Sequence, residues 1–271
     1  MNKPEKENKS LVSVFEKVIQ IPGVKVNREE FLLAQFKNEP FERRSKIVEV
    51  GPIRAKCSKK ELKSKAKKLV TERMMTSAGA SFLAGLPGGI AMAATIPADT
   101  LQFYAIALRL AQEIVYLYGE EDLWLRDAKD DGEAMNSLIL YCGVMLGAAG
   151  AAHIVRMVAA ELSKKLLKTL PQKALTKTVY YPIVKSIAKA IGAKMTKEVF
   201  AKGVSKAVPV IGGVVSGGIT LATMRPMGMR LIEAMDDAHF GYTESDFESD
   251  WKVVQEIIIE EESDTEGSDI D

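Results

Sequence analysis

At 271 residues with 47% hydrophobic content, the chain can bury one large helical core or two smaller ones, which excludes a disordered chain. Its two cysteines, Cys57 and Cys142, lie far apart in a basic and an apolar segment, which excludes a disulfide framework. The net charge of +1 hides separate blocks: +9 over 1–75, −6 over 99–133, +10 over 154–206 and −13 over 230–271, a pattern of opposed faces or partners.

The first ten residues, MNKPEKENKS, are polar and lack the apolar core of a secretory signal, so a cytoplasmic location is expected. Leu11, Val14, Phe15, Val18 and Ile19 recur at helical spacing, and Pro22-Gly23 ends that helix. Asn27 reads as an N-cap with Glu30 at the third helical position, opening a helix through Phe31, Leu32 and Phe36. Residues Phe41 to Ile53 read as irregular or as a short helix. Ser58 and Glu61 form a capping-box pattern before a long helix. Leu62, Ala66, Leu69, Val70 and Arg73 line one side of it and lysines fill the rest.

An uncharged stretch of 22 residues follows, Ser77 to Ala98, broken by Gly-Leu-Pro-Gly-Gly at 85–89. Pro97 suits the first position of a helix that runs to Tyr118 and stops at Gly119. A second uncharged run covers Ala134 to Ala152, and a third covers Ala207 to Met224. Between them, basic amphipathic helices are expected near 154–169, 178–191 and 195–206. Met227 to Met235 continues the third run as a helix, Trp251 to Glu262 is a last amphipathic helix, and SDTEGSDID is an acidic, disordered tail. No strand alternation and no fixed repeat is visible. The expected architecture is therefore all-α, a helical bundle packed through glycine-rich helices. Its parts are an N-terminal helical extension (1–57), a main helical domain (58–240), and the final amphipathic helix with its disordered tail (241–271).

Each uncharged run holds a Gly-x-x-x-Gly spacing: Gly85/Gly89, Gly143/Gly147 and Gly213/Gly217. Such glycines flatten one helix face and let a second backbone approach, in lipid or in a water-soluble core. The runs are near the ~20 residues that cross a bilayer. Buried core, re-entrant insertion and full span all remain open on the sequence. The lysines between Lys56 and Lys68, including Lys59, Lys60, Lys63 and Lys67, make a basic cluster suited to an anionic membrane surface. Nucleic acid is not expected, because no aromatics interleave with these lysines and no zinc-finger or RNP motif occurs.

Chemistry-bearing motifs are absent: there is no HExxH, CxxC, Walker A, G-x-G-x-x-G or G-x-S-x-G. No metal and no cofactor is expected, and the acidic group Asp127, Asp130, Asp131 and Glu133 lacks the glycine and closing glutamate of a calcium loop. His153 is expected to be buried or interfacial, and His239 to sit in a solvated turn. The catalytic candidates, were the chain an enzyme, are Asp99, Arg109 and Glu113. They share a polar stripe with Gln102 and Tyr116. The simpler reading makes that stripe the wet face of an amphipathic helix. If it is buried, Arg109 and Glu113 must pair.

The span AGLPGGIAMAATIPADTLQFYAIALRLAQEIVYLYGEEDLW (84–124) resembles the EcsC protein family, and KAVPVIGGVVSGGIT (206–220) looks like that family's second hallmark. The resemblance covers roughly 80–235 and marks Pro97, Asp99, Gln102, Arg109 and Gly119 as hallmark positions. It implies a helical, bacterial, membrane-associated protein of unassigned biochemical role; with the charge blocks and small-residue helices, the expectation is a non-enzymatic accessory to a transport or secretion system, with a transporter or other membrane protein as a partner. It supplies no catalytic residues. The alternative is a soluble helical enzyme or small-ligand-binding domain with its pocket near the Gly-Pro turns.

Overall fold

The computed structural model describes residues 3–76, 98–124, 131–162, 177–194 and 215–266. Among these, every regular element is an α-helix: α1 (Lys3–Ile19), α2 (Arg28–Gln35), α3 (Phe41–Val50), α4 (Lys59–Thr76) and α5 (Ala98–Leu117), then α6 (Asp131–Leu146), α7 (Ala151–Leu162), α8 (Lys177–Lys194), α9 (Val215–Phe240) and α10 (Glu244–Glu266). The all-α class is as expected.

The helix starts follow from capping chemistry. Asn27 Oδ1 accepts the Glu30 backbone N–H at 2.9 Å, and Ser58 Oγ accepts that of Glu61 at 3.2 Å. The Glu61 carboxylate does not close a reciprocal box, because Arg43 Nη2 takes it at 3.1 Å and ties α3 to the start of α4. Residues 41–50, ambiguous in the sequence, form a regular helix ended by Gly51 at φ +83°.

Helix α5 is the central element. From Leu108 to Tyr118 nearly every side chain is buried, so the helix is enclosed by others on all sides. It packs against α1, α2, α4, α6 and α9. Gly119, at φ +92°, ends it in a Schellman turn: Glu120 N–H donates to Val115 O and Gly119 N–H to Tyr116 O.

The second uncharged run is not one helix. Gly147 (φ +67°) and Gly150 (φ +77°) adopt left-handed backbone that side-chain-bearing residues avoid, so α6 stops and α7 starts afresh. Ala148 N–H donates to Gly143 O and Gly147 N–H to Val144 O, a second Schellman turn. Of the expected Gly143/Gly147 packing pair, only Gly143 sits on a helix face, where a Cβ would come within 2.5 Å of Ile187 on α8. Gly147 is a helix terminator. Gly85, Gly89 and Gly213 lie outside the described residues. Gly217 lies in the first turn of α9.

Helix α9 runs through Pro226 without interruption and is longer than the 227–235 helix expected. The final helix likewise begins at Glu244 and extends to Glu266, so part of the expected disordered tail is helical; 267–271 lie outside the described residues. One continuous hydrophobic core joins Leu11 and Phe15 of α1, Leu62 and Leu69 of α4, Leu108 of α5, Leu231 of α9 and Val254 of α10. The core thus crosses the divisions expected after 57 and 240. No described helix is long and apolar enough to cross a membrane.

Candidate functional site

Helix α4 separates its residues by face. Leu62, Ala66, Leu69 and Val70, spaced four, three and one apart, are fully buried against α5 and α9. On the other side Lys60, Lys67 and Lys68 are exposed, Lys59 is exposed in the first turn, and Lys56 is exposed just before the helix. Lys68 lies 3.6 Å from Glu72. Lys56, Lys59, Lys60 and Lys67 make no ion pair with any described residue.

Two other lysines of the cluster are structural. Lys65 donates to Gln35 O at 2.9 Å and lies 4.4 Å from the centre of the Phe36 ring, stapling α4 to the end of α2. Lys63 Nζ lies 2.7 Å from Asp236 Oδ2, a charge contact with a carboxylate only 1% exposed. Lys63, expected among the membrane-contact lysines, has its ammonium beside a buried charge on α9.

Asp236 also accepts from Tyr118 Oη at 2.6 Å, and the Tyr118 ring stacks on His239 at 6.1 Å between centroids. His239 is buried in the last turn of α9 rather than in a solvated turn, and neither ring nitrogen has a hydrogen-bond partner among the described residues. Burial pushes its pKa down to about 4, against the opposing pull of Asp236. Asp236 and His239 lie three residues apart on one face of α9, which also carries Met235 and Leu231 into the core. The position of His239 is therefore set by helix phase, and its apolar neighbours by the fold.

The polar stripe of α5 is not a wet face. Glu113 is fully buried, and its carboxylate accepts from Arg73 Nε at 2.6 Å, from Arg73 Nη2, and from Arg109 Nε at 3.0 Å. Arg109 also donates to Gly23 O, which pins the turn after α1. One turn along, Gln112 donates to Val24 O and accepts from Val26 N–H and Trp124 Nε1. Arg109 and Glu113 thus pair at i,i+4 as the buried reading required, within a network that knits α1, α4 and α5 together. Asp99 stands in the first turn of α5, with its side chain outside the described residues.

A third cluster holds α10. Asp250, 4% exposed, accepts from Arg156 Nε at 3.0 Å and from Tyr242 Oη at 2.8 Å, and lies 2.6 Å from His153 Nδ1. Burial alone would raise the Asp250 pKa, but hydrogen bonds from His153, Arg156 and Tyr242 outweigh it and hold it below the usual value. His153 thus sits at a helix–helix interface, between α7 and α10. A cavity of about 20 Å³, room for one water, is lined by Glu120, Ser137 and Tyr141 among apolar side chains. Burial, with Glu121 adding to it, pushes the Glu120 pKa up to about 7.

None of these clusters has a catalytic form. The carboxylates of Glu113, Asp236 and Asp250 are each consumed by cations and hydroxyls of the fold. No group of three metal-ligating side chains is found among the described residues. No family model matches the chain, and no curated protein or solved structure matches it either.

Proposed function

We propose that this chain is a peripheral, non-enzymatic protein of an anionic membrane surface. It docks through the outward face of α4 at the inner side of the cell membrane. The observation that carries this reading is that α4 buries an apolar face while the lysines at its start and on its outer side, Lys56, Lys59, Lys60 and Lys67, are exposed with no acidic partner among the described residues. Lysines so placed contribute about 1 kcal/mol each near an anionic bilayer, so four give about 4 kcal/mol, a millimolar-range attraction, without insertion of a helix. The absence of a spanning helix among the described residues fits surface association. The resemblance of 84–124 and 206–220 to the EcsC family supports the same reading, and with it a role accessory to a transport or secretion system.

The alternative, a ligand pocket beside the Gly-Pro turns lined by Asp99 and Arg109, loses one of its walls: Arg109 is committed to Glu113 and Gly23.

Cosedimentation of the full chain with vesicles tests the reading. The protein is expected to pellet with vesicles containing phosphatidylglycerol, to stay in solution with pure phosphatidylcholine, and to be released by 0.5 M salt. Equal binding to both vesicles, or to neither, contradicts it.

A further inference from the structure

The turn before α3 is tied to the first turns of α4 and carries an exposed ring. Phe41, the first residue of α3, is 73% exposed, the largest exposure among the described large hydrophobic side chains. Its ring contacts the Arg44 guanidinium at 5.9 Å, and Arg44 in turn reaches Lys37 O at 3.5 Å. The 36–43 turn that carries Phe41 is fixed to α4 at both ends. Lys65 of α4 sits over Phe36, and Arg43 is held by Glu61 while its other arm pairs with Glu39 at 3.0 Å.

Those pairs engage two nearby acids, leaving Arg44 over the ring, Lys37 exposed in the same turn, and Glu42 as the opposing charge next to the ring in sequence. Ile259, the other strongly exposed apolar side chain, stands between Glu256 and Glu260 on the acidic α10, a setting that an anionic surface repels.

We infer that Phe41 is a membrane anchor: once the α4 lysines have drawn the protein to an anionic bilayer, the Phe41 ring enters the headgroup–acyl boundary with Arg44 and Lys37 on lipid phosphates. This inference rests on the membrane-docking reading and adds an apolar contact to the electrostatic one. A phenyl ring has only two side-chain torsions to order on entry, and basic flanks stay at headgroup level. Charge complementarity selects the bilayer over an apolar protein groove, since Arg44 lies over the ring and the exposed Lys37 and Lys46 outnumber Glu42 in the flanking chain.

The test uses the full chain, phosphatidylglycerol-containing vesicles and two variants. F41A removes a side chain that covers no part of the core, so folding is retained and checked by circular dichroism. Its partition is expected to weaken by about tenfold. F41W keeps an aromatic ring. The fluorescence it adds over the wild-type signal of Trp124 and Trp251 is expected to be quenched by lipids brominated on the acyl chain. If F41A partitions as wild type and the added indole is not quenched, while vesicle binding by the wild type persists, the anchor is refuted and the electrostatic docking stands. If wild type binds no vesicles, both fall. If the added indole is quenched by single-stranded DNA and not by vesicles, the corner is a nucleic-acid site and the inference is overturned.

Discussion

Lys63 and Asp236 form a charge contact of 2.7 Å between α4 and α9, with the carboxylate 1% exposed and the lysine side chain 33% exposed. One lysine of a basic cluster is thereby drawn inward while Lys60, three residues before it, stays in solvent. Lys63→Ala leaves a buried carboxylate held by Tyr118 alone, and it is expected to lower stability by about 2 kcal/mol. Lys60→Ala is expected to change stability by less than about 0.5 kcal/mol while weakening vesicle binding. Urea unfolding of the two variants separates the roles. Equal stabilities would mean that Lys63 is only another surface lysine.

Close packing of α4 on α9 depends on Gly228, where a Cβ would come within 2.6 Å of Val70 Cγ2. In an unhindered helix Gly→Ala stabilises by about 1 kcal/mol. Here the collision reverses the sign, and G228A is expected to destabilise by about 1–3 kcal/mol. Val70→Ala removes the obstructing methyls, so the V70A/G228A double variant is expected to be more stable than the two separate costs imply. Thermal melts of the four proteins give the coupling.

His239 gives the protein an acid-sensitive core. In the folded chain it stays neutral down to about pH 4, whereas in the unfolded chain it binds a proton below about 6.5. The unfolded state therefore gains protons first, and stability falls as pH drops from about 6.5 towards about 4, by about 3 kcal/mol in all. Replacement by leucine, His239→Leu, removes this slope, which denaturant melts at pH 7, 5.5 and 4.5 would record.

Glu120 acts in the opposite direction. Its folded pKa of about 7 lies above the unfolded value of 4.5, so its carboxyl is neutral in the folded chain at pH 5 and charged in the unfolded one. The stability this confers is fully present below about pH 4.5 and is lost as pH rises through about 7, by about 3 kcal/mol. Glu120→Gln is neutral at every pH, so it is expected to be more stable than wild type at pH 8 and equal to it at pH 4.5. A variant whose advantage does not grow with pH would show that Glu120 ionises freely in the fold.

The elements legible in the sequence were those with local causes. The Asn27 and Ser58 caps, the stop at Gly119 and the buried stripe Leu62–Val70 depend on residues within one or two turns of each other. The polar interior was not legible, because its partners are distant in the chain. Glu113 is neutralised by Arg73, 40 residues away, and Asp236 is bonded to Tyr118, 118 residues away. His239 looked solvated because Asp236 and Asp237 precede it, yet the phase of α9 turns Asp237 outward and the other two inward. Glycine spacing misled in a similar way. Gly143 and Gly147 have the helix-packing interval, but Gly147 terminates α6, while Gly228, outside any such motif, makes a close helix contact. Phe41 was read only as the start of an ambiguous segment, since exposure is a property of the fold.

The membrane-docking account is tested most directly by moving the same charge change between two faces. K59E/K60E alters the α4 face, and R225E/K252E alters exposed residues of α9 and α10 by an identical net charge. The account predicts that K59E/K60E no longer pellets with phosphatidylglycerol-containing vesicles, whereas R225E/K252E pellets nearly as wild type does. Equal losses in the two variants would show that overall charge, and not the α4 face, governs the interaction, and would contradict it.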